Sequence, residues 1–265
     1  MPDTIPVLLY HAVMDDPPAW IAEFTVARRQ FGAHLDAVAA SGRTPVTVGT
    51  LVDALSGGGP LPPRPVVLTF DDGFADLPGP TAETLADRGM PATAYLTTGA
   101  VTPGRTSLLP PAPMMTLSQA PLLEQYGIEV GAHTDTHPQL DTLAPRALDH
   151  ELRRPKAELE GVLGHPVAHL AYPHGYNSRA VRRAAAAAGY ASAAAVRHAL
   201  SSPADEPYRI ARLIVRRTHT AADVEAWMSG GGGVPVAPFP DALPTVGWRL
   251  YRRTRAVVRG RRFAG

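Results

Sequence analysis

Two adjacent carboxylates and a pair of histidines four residues apart are the side chains of this sequence best suited to chemistry. The carboxylates, Asp71 and Asp72, close the run VVLTFDDG, in which an apolar and β-branched stretch leads straight into both charges. Neighbouring carboxylates repel, and burial raises the cost of ionising each, so a positive partner is expected beside them. The histidines, His133 and His137, lie in GAHTDTH. In a helical turn that spacing projects both rings from one side toward one point, an arrangement in which paired histidines grip a divalent metal. Asp72 as a third ligand would leave such an ion an open position for water. It would also be neutralised, leaving Asp71 to take protons. Singly, an Asp-Asp-Gly is a strand-to-turn signal and an H-x-x-x-H pair arises by accident. Their joint occurrence at two predicted strand ends favours a site.

The elements that would position these residues are read from hydrophobic periodicity. Short β-rich runs at 5–10, 44–48, 66–70, 92–98, 127–133, 168–172, 190–196 and 212–217 alternate with helical patterns near 28–41, 49–56, 79–89, 116–126, 145–163, 178–188 and 221–229. Strands alternating with helices imply a parallel sheet with crossover helices, and seven or eight such units favour a barrel over an open sheet. Asp71, Asp72, His133 and His11 then fall at strand ends, where the active sites of such barrels are built. The Pro-rich stretch 103–115 is expected to cover or line a cleft.

Composition narrows the classes further. With 45% hydrophobic and 18% charged residues, the 265-residue chain has the profile of a core-forming globular protein and not of a disordered one. It has no cysteine, so a metal must be held by His and carboxylate. The start, MPDTIPVLLYHAV, has no basic region followed by an apolar stretch of signal-peptide length, and a cytoplasmic location is expected. The expected division is a barrel over 1–228, a Gly/Pro linker over 229–242 and a basic tail over 243–265. That tail holds seven arginines and no acid, which leaves residues 1–242 at 1 − 7 = −6 from the formal total of +1. It reads either as a peripheral contact with an acidic lipid surface, because Trp248, Leu250, Tyr251, Val257 and Val258 accompany the arginines, or as a solvated end. Nucleic acid is not an expected partner, since the charge sits on a tail and not on a folded face. Oligomeric state is left open.

Taken in order, TFDDG (69–73), HTDTH (133–137) and AYPHG (171–175) resemble the signature of the polysaccharide deacetylases, the NodB-homology enzymes of carbohydrate esterase family four. The resemblance spans roughly residues 5–228. It implies an α/β fold, a distorted (β/α) barrel of about seven strands. It also implies a divalent metal, usually Zn2+ with Co2+, Ni2+ or Fe2+ as alternatives, and hydrolytic removal of acetyl groups from N-acetylated saccharides. By position, Asp71 matches the catalytic base, Asp72, His133 and His137 match the metal triad, and Tyr172, Pro173, His174 and Gly175 match a groove wall in which the His174 N–H helps hold an oxyanion. Pro173 fixes that turn and Gly175 permits close approach.

Two positions depart from the family pattern. Many members begin the third motif with an arginine that pairs with the catalytic base, whereas Ala171 stands here; Arg212 is the candidate replacement, with Arg209 behind it. The late Leu-Ile/Val-His segment that usually supplies the general acid is also missing, Val215 and Arg216 occupying its place. The opening LLYHAV is similar to the Tyr-His segment of a rearranged branch that includes poly-N-acetylglucosamine deacetylases, and it makes His11 the candidate acid. First and last strands of a closed barrel are neighbours, so a residue can move between chain ends and keep its place in space. His174, His219 and His198 are rivals for that role. Alternative readings are a metal-dependent amidase or esterase on a small glycosylated metabolite, and a carbohydrate-binding barrel with impaired catalysis.

Overall fold

The computed structural model describes residues 4–240 and, in the C-terminal tail, residues 247, 248, 251, 252, 254 and 255. Among these, eight strands form in chain order: β1 (Val7–Tyr10), β2 (Thr44–Val46), β3 (Pro65–Asp72), β4 (Ala92–Leu96), β5 (Ile128–Ala132), β6 (His169–Ala171), β7 (Ser192–Ala194) and β8 (Leu213–Ile214). Seven make one curled parallel sheet in the order β7-β6-β5-β4-β3-β1-β8, and β2 pairs with the start of β3 off that path. Eight helices accompany them: α1 (Arg28–Ala40), α2 (Val48–Leu55), α3 (Ala82–Ala86), α4 (Thr98–Val101), α5 (Ala120–Gln125), α6 (Pro145–Leu163), α7 (Arg179–Ala187) and α8 (Ala221–Met228). The expected distorted barrel is the fold found. Its parallel pairing demands crossover connections, which the helices supply.

Strand β3 shows why its sequence reads as a continuous apolar run. All eight of its residues are buried, because both faces of the sheet are covered. Val66, Leu68 and Phe70 pack outward with Leu8, Tyr10, Phe31, Leu35 and the other helix-side residues. Val67 packs inward with Val7, Tyr95, Ala171, Ala194 and, from the α2 region, Val48, Leu51 and Val52. The period of two along the strand therefore feeds two separate cores. Asp71 shares the inward face with Val67 and Thr69, with Tyr95 beside it in register on β4.

The sheet closes imperfectly between β7 and β8. Residues just before β8 bridge the gap: Ala195 N–H donates to the Ile210 carbonyl at 2.8 Å, and Arg212 Nε donates to the Ala195 carbonyl at 3.0 Å. One glycine is required by the packing of the sheet itself. A Cβ on Gly131 would meet the Tyr95 ring at 2.6 Å, so β5 approaches β4 across an aromatic side chain only because Gly131 has none.

The segment expected as a linker lies on the barrel as far as residue 240. Val236 pairs with Leu200, and Arg197 stacks over Phe239 at 3.9 Å. No helix among the described residues is long and apolar enough to cross a membrane.

Candidate metal centre and acid-base site

Asp71 and Asp72 end β3, and a flat strand would aim them to opposite faces. Asp72 instead adopts φ 75°, a left-handed conformation that non-glycine residues rarely take, followed by Gly73 at φ 92°. The pleat breaks there and both carboxylates reach the same place. His133 Nε2 lies 3.7 Å from Asp71 Oδ2 and 3.5 Å from Asp72 Oδ1. His137 Nε2 lies 3.3 Å from the same Asp72 oxygen. One ligand atom from each of Asp72, His133 and His137 falls within 4.8 Å of the others, and all three residues are buried.

The local geometry corrects the expectation of a helical turn. Residues 133–137 form an irregular loop in which Thr134 (φ 67°) and His137 (φ 63°) are both left-handed, and the two imidazole centroids are 4.9 Å apart. A helix is displaced because the loop's polar groups are satisfied from outside it. The Glu151 carboxylate, buried on α6, accepts from Asp135 N–H at 3.0 Å, Thr136 N–H at 2.8 Å and the Thr136 hydroxyl at 2.6 Å. The His137 N–H donates to Thr134 Oγ1 at 3.1 Å, and the His133 N–H to the Leu96 carbonyl at 2.8 Å. Asp135 is held in turn by Arg105, which also grips Glu158 at 2.7 Å. Nothing in HTDTH announces Glu151, because it stands on the next helix and has no motif of its own. The Pro-rich stretch lies against the site's edge: Met115 N–H donates to the Gly73 carbonyl at 3.0 Å, and Leu108 N–H to the Thr136 carbonyl at 2.8 Å.

These three residues fit a divalent cation. Asp72 Oδ1 is buried without a hydrogen-bond partner among the described residues, and burial together with the adjacent Asp71 charge pushes this carboxyl well above its usual pKa, with Arg212 only partly opposing. A buried carboxylate in that state calls for a cation. His133 Nδ1 lies 2.9 Å from the Ala171 carbonyl; donation there leaves Nε2 as the lone-pair atom facing Asp72, the second contact that commonly fixes a metal-ligating imidazole. Burial lowers His133 despite the opposing Asp71 charge, and lowers His137 strongly with the neighbouring imidazoles adding, and so favours the neutral form in which imidazole binds metal.

Asp71 has a different environment. Arg212, fully buried, grips it through two parallel hydrogen bonds, Nη1 to Oδ1 at 2.7 Å and Nη2 to Oδ2 at 2.8 Å. Burial alone would raise Asp71. The Arg212 charge and hydrogen bonds, with His133 and His11, outweigh it and hold the carboxylate below its usual pKa. By the Leu8–Leu213 register Arg212 leaves the backbone level with Val7, and its side chain rises through the barrel interior past Thr69, bonded at 3.2 Å, to reach Asp71. Arg209 is not part of this contact; it pairs with Glu206 at 3.5 Å.

His11 follows the end of β1. It is half-buried against Phe24, its Nδ1 has no hydrogen-bond partner among the described residues, and burial lowers it to about 4 while the Asp71 charge pulls the other way and Arg212 and His133 add to the lowering. Among the rival histidines, His219 and His198 stack on each other and meet Trp227 edge-on, and His219 Nδ1 accepts from the Arg216 N–H at 3.0 Å. His174 stands 4.7 Å from the His137 ring and is lowered to about 4 by burial first, then by His133 and Arg252. Its backbone is left-handed at φ 57°. Gly175 follows at φ 73°, where a Cβ would strike Val196 at 2.5 Å. Tyr172 contributes backbone to this wall but not its ring, since the phenol packs in the outer core and donates to the Tyr208 carbonyl at 3.1 Å.

The wall continues into the C-terminal tail, which the sequence left without a place. Arg252, buried, donates to both oxygens of Asp141 at 2.8 Å and stacks 3.4 Å above the Tyr176 ring. Trp248 Nε1 donates to the Tyr176 hydroxyl at 3.3 Å. Arg252 is one of seven arginines in an acid-free run, and no local pattern distinguishes it from the rest.

The chain belongs to the polysaccharide deacetylase family, whose model matches residues 58–193 and so includes Asp71, Asp72, both triad histidines and the wall at 172–175. It is similar to YxkH of Bacillus subtilis (strain 168), which carries the same family name. The two are 24% identical over 189 residues, 71% of this chain and 63% of that protein. The chain thus spans less than two thirds of that relative's length. Among solved structures it is similar to the Streptococcus pyogenes deacetylase PplD in complex with acetate (24% identity, TM-score 0.75, 84% of this chain and 97% of that one). It is also similar to IcaB from Ammonifex degensii (26% identity, TM-score 0.73, 85% and 97%).

Proposed function

We propose that this protein is a metal-dependent hydrolase that removes N-acetyl groups from an amino-sugar-containing glycan or glycoconjugate. The observation that carries the reading is the division of labour between two adjacent carboxylates. Asp72 Oδ1 faces the His133 and His137 imidazoles and has no hydrogen-bond partner among the described residues, while Asp71 is kept ionised by Arg212 beside them. Pairs of titratable groups whose environments push them apart mark acid-base assignments.

Asp72, His133 and His137 would hold the ion. An ion held there would supply Lewis-acid chemistry, polarising an acetyl carbonyl and lowering the pKa of water from about 16 to about 7. Asp71, negative and oriented by the Arg212 fork, takes the proton from the attacking water. The backbone N–H of His174, at its left-handed position, would serve as a donor for the developing oxyanion. His11 delivers a proton to the departing nitrogen, without which the leaving group would be an amide anion. Burial favours neutral His11 at rest; the negative charge that develops on the substrate raises its pKa, so that it takes up from solvent the proton it passes to the nitrogen, while the proton on Asp71 returns to solvent.

The arginine missing from the third motif suggested an impaired, carbohydrate-binding protein. Arg212 supplies the charge that Ala171 lacks, and this favours an active enzyme. The test is acetate release across N-acetylated and O-acetylated saccharides, before and after chelation and with metal restored. Release from N-acetylated amino sugars that chelation abolishes and metal rescues is the expected result. Release insensitive to chelation, or from O-acetyl groups alone, would refute the reading.

A further inference from the structure

Trp248 and Tyr251 are anomalous on this surface. Among the described residues the exposed large hydrophobics are Val162, Trp248 and Tyr251, and the latter two stack on each other at 5.0 Å with interplanar angle 23° while remaining 48% and 52% exposed. An aromatic pair left half in water, on a segment that spends a buried arginine to hold its place, requires a reason. The anchor is specific: Arg252 is buried between the Asp141 carboxylate and the Tyr176 face, and Trp248 Nε1 donates to the hydroxyl of the same tyrosine. Tyr176 in turn lies 5.9 Å from the His174 ring, and His174 lies 4.7 Å from the triad residue His137. Two ring contacts therefore separate the candidate metal centre from the clamp that carries the aromatic pair.

From this juxtaposition we infer that the C-terminal segment adds a saccharide-binding platform to the groove, with Trp248 and Tyr251 stacking against a sugar unit adjacent to the one being deacetylated. The inference rests on the proposed deacetylase reading and names the part of the substrate that reading leaves open, a chain of more than one sugar. A pyranose presents an apolar face of C–H groups edged by hydroxyls, and it matches a flat aromatic surface bordered by polar groups. Arg252 argues against a lipid surface as the occupant. An interfacial anchor points its cations outward to phosphates, whereas this guanidinium is turned inward and consumed by Asp141. Trp248 and Arg252 are thus held to Tyr176 and Asp141, and the Trp248–Tyr251 pair stays exposed beside the wall that carries His174.

The platform is tested with the pentamer of β-1,4-linked N-acetylglucosamine, titrated calorimetrically into the full chain made turnover-deficient by Asp71→Asn. Adding Trp248→Ala or Tyr251→Ala is expected to weaken binding about tenfold, and Arg252→Gln, which releases the anchor, to do the same. Val162→Ala, at the remaining exposed hydrophobic, serves as the control and is expected to bind like its parent. In the turnover-competent background the loss in kcat/KM is expected to grow with oligomer length and to appear in KM. Equal pentamer affinity with and without Trp248 overturns the platform, as does a blue shift of Trp248 fluorescence on anionic vesicles of phosphatidylglycerol without a response to pentamer. The two readings fail separately. Acetate release from monomeric N-acetylated sugars with no pentamer binding removes the platform and keeps the deacetylase. Pentamer binding that depends on Trp248, with no acetate released from any amino sugar, does the reverse.

Discussion

Replacing Arg212 with methionine would expose what the Asp71–Arg212 pair contributes. The substitution preserves much of the side-chain volume but removes two charge-assisted hydrogen bonds of 2.7 and 2.8 Å to Asp71 and those to Thr69 and Ala195. Removing one partner of a buried ion pair costs about 3–5 kcal/mol, because the other charge is left uncompensated. Against a typical domain stability of about 5–15 kcal/mol, the variant should fold with a much reduced urea midpoint. The pH dependence gives the sign. In the wild type the folded Asp71 pKa is depressed, so its contribution to stability is present above the unfolded carboxylate value and is lost as pH falls through the folded pKa. In Arg212→Met burial is opposed only by His133 and His11 and raises the folded pKa. Ionised Asp71 then destabilises the fold at neutral pH, and the deficit shrinks on acidification as the folded state takes up its proton. The acidic limb of the kcat/KM profile should move to higher pH for the same reason. Urea titrations at several pH values, with the Asp71→Asn/Arg212→Met double variant alongside, measure this. The double variant should recover part of the loss, on the order of 1–3 kcal/mol, because it removes the orphaned charge. A single-variant cost below about 1 kcal/mol at neutral pH, with nothing recovered in the double, would refute the assignment of Arg212 as the partner that keeps Asp71 ionised.

Glu151→Gln keeps the shape of the clamp on residues 135–136 but weakens its acceptors. Zn2+ affinity, measured by competition with a chromophoric chelator, should fall about 10–100-fold, the usual cost of disturbing an outer partner of a metal ligand; unaltered affinity would show that the loop holds itself. His11→Ala should reduce hydrolysis of N-acetylated amino sugars by about 10²–10⁴-fold and that of an activated phenyl acetate far less, since a phenolate leaves without a proton. Equal losses on both substrates would remove His11 as the acid.

Much of the fold was legible because its signals are local. All eight strands were visible as short β-rich runs, and the two buried faces of a parallel sheet explain why β3 reads as unbroken apolar sequence. The residues that meet at the centre were visible as types, two carboxylates and two histidines, but their conformations were not. A helical turn was the economical reading of H-x-x-x-H. The observed loop depends on left-handed Thr134 and His137 and on a carboxylate that lies 14 residues past His137 on α6, and neither leaves a trace in the motif. Tyr172 fell within the expected wall, yet its ring turns to the outer core, since a phenol in a closed shell seeks the nearest backbone acceptor. Asp141, Tyr176 and Arg252 were illegible for a stronger reason. Each is an ordinary residue until the tail is placed, and 111 positions separate the ion pair.

Arg212 shows how chemistry can persist where a motif breaks. An arginine at the start of a strand lies at the end of the barrel opposite the active site, yet Arg212 reaches Asp71. The interior resolves this. Ala171 and Ala194, paired in register on β6 and β7, are small residues lining the same core as Tyr95, and the space beside them admits a guanidinium rising from below. The imperfect closure between β7 and β8 provides the Ala195 carbonyl that fixes Arg212 Nε on the way. What Asp71 requires is a donor fork at its two oxygens, and any strand whose side chain can enter the interior can supply it. Position in a motif is therefore a weaker guide to this function than the charge balance at the carboxylate.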